Sequence, residues 1–263
     1  MDIIFYIYVF LFGVIIGSFL NVVVYRLGTG VSITRGRSIC FSCGKTLGWY
    51  ELVPVASFLA QRGRCRTCKS KISWQYPIVE LTTGALFFLV FWKLGFQIIP
   101  LIFYWTIMAI LVVIAVYDIR HKIIPNSFVY AFIALSLIQL TWGSDPQVVT
   151  VWGWMSGPIL FLPFAGLWAV SRGTWMGFGD AKLAWGIGWF LGLSAGTSAV
   201  ILAFWIGALW GLGLMALSHI GKIFHKRKVF TMKSELPFGP FLVIATALVF
   251  FFNIDVLSLN LIF

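Results

Sequence analysis

Eight apolar runs, each long enough or nearly long enough to cross a bilayer, constrain this chain more than any other feature. A spanning helix needs about 20 mostly apolar residues. The runs lie at 3–25, 77–95, 97–117, 125–142, 148–170, 183–193, 197–217 and 238–258. Charged residues are 10% of the 263, against about 25% in an ordinary soluble domain. So few charges cannot clothe a water-facing surface. The fold class that follows is an all-α polytopic membrane protein of about eight transmembrane helices. The run 183–193 is short and carries Gly186, Gly188 and Gly192, so it reads as short, tilted or re-entrant. Met1-Asp2 is an acidic start and no small-residue cleavage site follows, so the first run is expected to stay as an anchor.

The net charge is +11, and its distribution orients the chain. Nine basic residues fall in 26–76, then come Arg120 and Lys122, Arg172 and Lys182, and five more in 218–237. With eight spans, that puts 18 of the 19 Lys and Arg on one side, leaving only Lys93 on the other. The positive-inside rule makes the rich side cytoplasmic, with both termini outside. A wrong span count would scatter these charges. No aromatic-interleaved basic groove is present, so no nucleic-acid partner is expected; the partner this composition calls for is the lipid bilayer.

Residues 26–76 are polar, basic and hold all four cysteines. They read as a small cytoplasmic domain inserted after the first helix. The chain then divides into a first transmembrane helix (1–25), a cysteine domain (26–76) and a membrane core (77–263). Cys40-Phe-Ser-Cys43 and Cys65-Arg-Thr-Cys68 can set four thiolates around one tetrahedral Zn²⁺. Gly44 allows a tight turn, and Arg64, Arg66 and Lys69 favour thiolate over thiol. The alternatives are two disulfides, which a reducing cytoplasm disfavours, and a redox motif, which lacks its βαβ setting. Four protein ligands leave no place for a substrate water, so such a zinc is structural.

The chain has only eight acids: Asp2, Glu51, Glu80, Asp118, Asp145, Asp180, Glu235 and Asp255. Carboxylates in membrane segments are costly and mark function by default. Asp2 and Asp145 fall at the outer face, Asp255 near the outer end of the last run, and Glu235 in the basic loop 218–237; these four read as solvated or interfacial. Asp118 ends the third run, in Tyr117-Asp118-Ile119-Arg120. Asp180 opens the sixth, in Gly177-Phe178-Gly179-Asp180-Ala181-Lys182. Both belong to the same depth on the same side, so they can meet. Two neighbouring carboxylates do not easily both ionise. The charged one can take a proton from water while the neutral one donates to a peptide carbonyl, which is aspartyl proteolysis by a pair that titrates as a unit. Gly177 and Gly179 are expected to support this loop, by letting a peptide approach and by permitting unusual dihedrals.

The plainer readings are a helix N-cap for Asp180 and a carboxylate solvated among Arg120, His121 and Lys122 for Asp118. Glu80 reads as a helix cap or a partner for a cation of the cysteine loop. Glu51 reads as an ordinary ion-pair partner or as part of a second site. His121, His219 and His225 form no H-E-x-x-H pattern, and no G-x-S-x-G elbow is present. A proton-coupled transporter could use the same aspartates, but transporter sites sit near the bilayer midplane at repeat interfaces. A membrane N-methyltransferase without proteolysis is the other enzymatic alternative. A zinc-organised scaffold without chemistry would tolerate loss of both aspartates.

The motifs together resemble the bacterial type IV prepilin peptidases, the Gly-x-Gly-Asp aspartyl proteases of the inner membrane. The resemblance covers nearly the whole chain. It rests on Gly17-Ser18-Phe19-Leu20-Asn21-Val22-Val23 through Tyr25-Arg26, both C-x-x-C pairs with Arg62-Gly63-Arg64-Cys65-Arg66, Ile72-Ser73 and Tyr76-Pro77-Ile78-Val79-Glu80. It continues in Asp118, Ile124-Pro125-Asn126, Gly177-Phe178-Gly179-Asp180-Ala181-Lys182-Leu183 and Pro237-Phe238-Gly239-Pro240. It implies Asp118 and Asp180 as the catalytic pair and Cys40, Cys43, Cys65 and Cys68 as zinc ligands. It implies cleavage of a prepilin or pseudopilin after a glycine that ends a short basic leader, on the cytoplasmic face of the inner membrane. Many members then methylate the new N-terminus with S-adenosylmethionine, and the cysteine domain looks like the part associated with such bifunctional members. No glycine-rich methyltransferase fold is visible, so the methyl-donor site has only Glu51 as a candidate. Because 26–76 is itself basic, Glu51, Glu80 or anionic lipid is expected to receive the leader's charges.

Overall fold

The computed structural model describes residues 3–142, 151–224 and 236–256. Asp2, Asp145, Glu235, His225 and the basic cluster Lys226, Arg227, Lys228 and Lys233 lie outside the described residues. Every regular element among the described residues is helical, with only two isolated β-bridges, Ile39 with Thr46 and Arg64 with Lys71. The chain forms two compact units, Met1–Val116 and Tyr117–Phe263.

The first unit holds α1 (Ile3–Arg26), a 3₁₀ turn (Trp49–Glu51), the short α2 (Ala56–Ala60), α3 (Gln75–Leu94) and most of α4 (Ile98–His121). The second holds the last turn of α4, then α5 (Asn126–Trp142), α6 (Val151–Ser171), α7 (Phe178–Leu191), α8 (Leu193–Phe224) and α9 (Gly239–Phe252). Each apolar run of the sequence thus becomes one helix. α1, α3, α4, α6 and α8 are long and apolar enough to cross a membrane, and α5 and α9 are shorter apolar helices. The protein is an integral membrane protein.

In the first unit α1 packs on α3 through small residues. A Cβ on Gly84 would lie 2.7 Å from Val14 Cγ2, and one on Gly17 would lie 2.8 Å from the Cα of Glu80. In lipid no hydrophobic force joins two helices, so close backbone approach and internal hydrogen bonds must do so. Asn21, 1% exposed, supplies such bonds: its Nδ2 donates to the carbonyls of Gly17 and Tyr76, both at 3.3 Å. Its Oδ1 accepts from Gln75 Nε2 at 3.4 Å. Glu80 is neither a helix cap nor a cation's partner. It sits in the second turn of α3, buried, and accepts the backbone N–H of Val55 at 2.7 Å. Val55 stands at φ +57°, a region a β-branched residue rarely enters. The carboxylate therefore anchors the inserted segment to α3 by main chain, not by charge.

In the second unit α7 is the hub, packed on α5, α6, α8 and α9. Ala181, Leu183, Ala184 and Ile187 have no exposed surface. Its 14 residues rise about 21 Å, less than a hydrocarbon core of about 30 Å. The glycines of this segment serve approach: a Cβ on Gly188 would lie 2.5 Å from the carbonyl oxygen of Ser156 on α6. Ser156 Oγ in turn donates to the Gly188 carbonyl at 2.8 Å. α7 starts at Phe178, five residues before the apolar run, so Asp180 is inside the helix. α4 likewise continues past Asp118 to His121, ending where Lys122 turns to φ +56°. α9 stops at Phe252 on the left-handed cap Asn253, so Asp255 lies beyond it and accepts the hydroxyls of Ser194 and Ser198, each at 3.3 Å.

Gly188→Ala is expected to destabilise the second unit by about 1–3 kcal/mol through overpacking against α6. Gly213→Ala on α8, where nothing lies within 4 Å of the added carbon, is expected to be neutral or slightly stabilising. Thermal unfolding of the two variants in detergent measures the difference.

Candidate active site and cysteine centre

Asp118 occupies the last turn of α4 and is 4% exposed. This rules out the solvated reading of that side chain. Its Oδ2 accepts the backbone N–H of Gly239 at 3.1 Å, across 121 residues of sequence. Gly239 opens α9 with Pro240 beside it. The first N–H groups of a helix have no partner inside it, so one is free to serve a carboxylate. A Cβ on Gly239 would come within 2.6 Å of that same oxygen, so only glycine lets the two meet.

Asp180 is the third residue of α7 and is 8% exposed. The N-cap is Gly177, not Asp180; the Asp180 N–H donates to the Gly177 carbonyl at 3.1 Å. Neither Gly177 nor Gly179 has a positive φ, so the unusual dihedrals expected of them are not used. Space is the reason at Gly179, whose Cβ would lie 2.8 Å from Ile124 Cβ. Ile124 Cδ1 also stands 3.3 Å from where a Gly239 Cβ would be. Ile124, 7% exposed, is thus wedged between the N-termini of α7 and α9.

Both carboxylates line one cavity of about 520 Å³, with Lys122, Asn126, Lys182, Pro237 and residues 173–179. They interact electrostatically, the charge of Asp118 being felt at Asp180. Gly239, Ile124 and Lys182 carried no role in the sequence reading. A signal existed for the first: Gly-Pro at the head of an apolar run marks a helix start. Nothing local marks the wedge at Ile124.

The four cysteines belong to the first unit. The two C-x-x-C turns have the same backbone. The Cys40 N–H donates to the Lys45 carbonyl and the Cys65 N–H to that of Ser70, both at 2.9 Å. Gly44 returns to Cys40 at 2.9 Å and Lys69 to Cys65 at 3.0 Å. Gly44 (φ +71°) and Lys69 (φ +58°) take the same left-handed position. No disulfide forms, and the four Sγ atoms lie within 4.8 Å of one another. Cys40 and Cys68 sulfurs are 3.8 Å apart, the edge of a tetrahedron with metal–sulfur bonds of about 2.3 Å. The donor set and its spacing fit a tetrahedral metal ion. The N–H groups of Cys43 and Ser42 hold the Cys40 thiol down at about 6, so it is ready as thiolate.

Glu51 supports this centre. Its Oε2 accepts the Gly48 N–H at 2.9 Å and its Oε1 pairs with Lys45 at 3.5 Å, with the side chain 1% exposed. The Gly48 N–H, then Lys45, keep its carboxyl below the ordinary range. Arg26, at the end of α1, donates to the carbonyls of Ser32, Arg35 and Arg37, which shapes the chain leading into the first turn.

The purified chain is expected to carry one metal ion, and Cys65→Ser to lose it. Metal-bound thiolates must be deprotonated. Acidification is therefore expected to release the ion, as followed by elemental analysis after gel filtration.

Residues 11–94 match the family described as bacterial peptidase A24 N-terminal domain, and residues 105–212 match the type IV leader peptidase family. The chain is 31% identical over 252 residues to a prepilin leader peptidase/N-methyltransferase of Bacillus subtilis, covering 95% of each protein. It is 36% identical over 219 residues to the protein of that name from Myxococcus xanthus, covering 81% of this chain and 64% of that one. The Burkholderia pseudomallei (strain 1026b) protein of the same name is 31% identical over 92% of this chain and 83% of its own length. No solved structure matched the chain. With five long and two shorter apolar helices among its described residues, its cysteine quartet and its two buried aspartates in one cavity, this chain belongs to the type IV leader peptidase family.

Proposed function

We propose that this protein is a membrane aspartyl endopeptidase that removes the leader of type IV prepilins or prepilin-like proteins, with Asp118 and Asp180 as its catalytic pair. The observation that carries the reading is the meeting of these two buried carboxylates in one open cavity. Two carboxylates that feel each other share a proton, and the pair titrates as a unit. The ionised member takes a proton from a water, whose oxygen bonds to the peptide carbonyl carbon. The protonated member donates to the carbonyl oxygen. Collapse then breaks the C–N bond, with the proton delivered to the leaving nitrogen. The Gly239 N–H orients the Asp118 carboxylate, and the first turn of α7 carries Asp180. Ile124 keeps Gly179 and Gly239 at their distance, so the geometry is built before substrate arrives.

The cut is proposed to follow a glycine, on the cytoplasmic side of a bacterial inner membrane. The one-sided distribution of Lys and Arg supports that orientation. The cysteine centre is proposed to hold a structural Zn²⁺ on Cys40, Cys43, Cys65 and Cys68; four thiolates leave no site for water. The relatives' name, prepilin leader peptidase/N-methyltransferase, supports a second step, in which S-adenosylmethionine supplies a methyl group to the new N-terminal amine. Glu51 offers little to a methyl donor, since both oxygens are engaged and the side chain is buried. It and Glu80 are likewise closed to a basic leader, which leaves anionic lipid for that part.

Asp118→Asn and Asp180→Asn keep shape and remove the titrating group. Each is expected to lower cleavage of a prepilin in liposomes by about 10²–10⁴-fold or more, with substrate still bound. Native rates in both variants would sink the proposal. Gly239→Ala pushes a methyl group onto Asp118 and is expected to cost about 10²-fold in cleavage rate, since reacting groups tolerate little misplacement. The chain's metal content should be unchanged in that variant.

A further inference from the structure

Lys182 lines the same cavity as the two aspartates. Its Nζ donates to Asn126 Oδ1 at 2.8 Å. It also lies 4.9 Å from the ring centre of Tyr130 and 5.1 Å from that of Phe178. Each ring face attracts an ammonium. Three side chains from α5 and α7 therefore hold this cation in place, where a merely solvated lysine would sweep through many rotamers. Among the described residues the one ion pair is Lys45 with Glu51, so neither aspartate neutralises Lys182. An ammonium has three N–H donors. One is used by Asn126, and two stay open at the edge of a cavity with room for a peptide.

We infer that Lys182 is a substrate-binding residue: its fixed ammonium takes a negatively polarised oxygen of the bound peptide near the scissile bond. Two sources supply that chemistry, a main-chain carbonyl or an acidic side chain. Asn126 is then a positioning residue that holds the ammonium. The inference rests on the proteolysis proposed above and adds a contact that fixes the substrate's register against the two aspartates.

The test compares the native full-length chain with Lys182→Met and Lys182→Arg in liposomes, using a full-length prepilin. KM and kcat are read separately, with thermal midpoints. Lys182→Met is expected to raise KM about tenfold, the loss of one charge-assisted hydrogen bond, while kcat stays within about twofold. Lys182→Arg is expected to recover much of that loss. Substrates whose acids flanking the cut are changed to amides separate the two sources. If an acidic side chain is the partner, this change raises KM for the native chain and not for Lys182→Met. If a carbonyl is the partner, both chains respond alike. An unchanged KM in Lys182→Met overturns the inference, as does a fall in kcat and thermal midpoint that Lys182→Arg repeats. A native chain that cuts nothing overturns the protease reading itself and this inference with it.

Discussion

The bond from the Gly239 N–H to Asp118 Oδ2 is the constraint on which the second unit's site depends. A carboxylate at the end of an apolar helix, almost without exposed surface, needs a donor. The donor comes from the start of another helix, where N–H groups lack internal partners. That choice excludes a side chain at position 239, ties the start of α9 to Asp118 and places Ile124 between the starts of α7 and α9. Asp180 is placed locally, in the first turn of the helix whose N-cap is Gly177. One aspartate is thus held by tertiary structure and the other by a turn.

α7 shows why a short helix can be central. It is too short to span by itself, yet it packs on α5, α6, α8 and α9, leaving a stripe of Lys182, Trp185 and Trp189 half-exposed. Its glycines and small residues admit those neighbours closely, and dense packing against them fixes the position of its first turn. A catalytic group on such an element is held more tightly than one on a loop. The inserted segment follows different rules. It has little apolar core, and its order comes from paired turns, the Glu51–Lys45 pair, the Arg26 contacts and the Val55–Glu80 bond. A bound metal ion would add to that frame.

The order and approximate extent of the helices that grow from the eight apolar runs were legible in the sequence, as was the cysteine quartet. These depend on local composition and spacing. Errors arose where a distant group changes the local balance. The plainer alternative of a solvated Asp118 fails because Gly239, far away in sequence, buries and bonds it. The alternative of an N-cap at Asp180 fails because α7 begins two residues earlier. The glycines of the Gly-x-Gly-Asp motif looked conformational, whereas Gly179 answers to the bulk of Ile124.

The sequence by itself determined that this chain lives in a membrane, where its apolar helices lie along the chain, where its cysteines gather and which two acids are candidates for chemistry. Composition and helical length dictate these, because a bilayer admits few alternatives for an apolar chain. Only the tertiary structure decided which N–H group holds Asp118, which glycines are needed for space, and that Lys182 faces the cavity caged by Asn126, Tyr130 and Phe178. Those outcomes depend on contacts between segments tens of residues apart, and no local pattern encodes them.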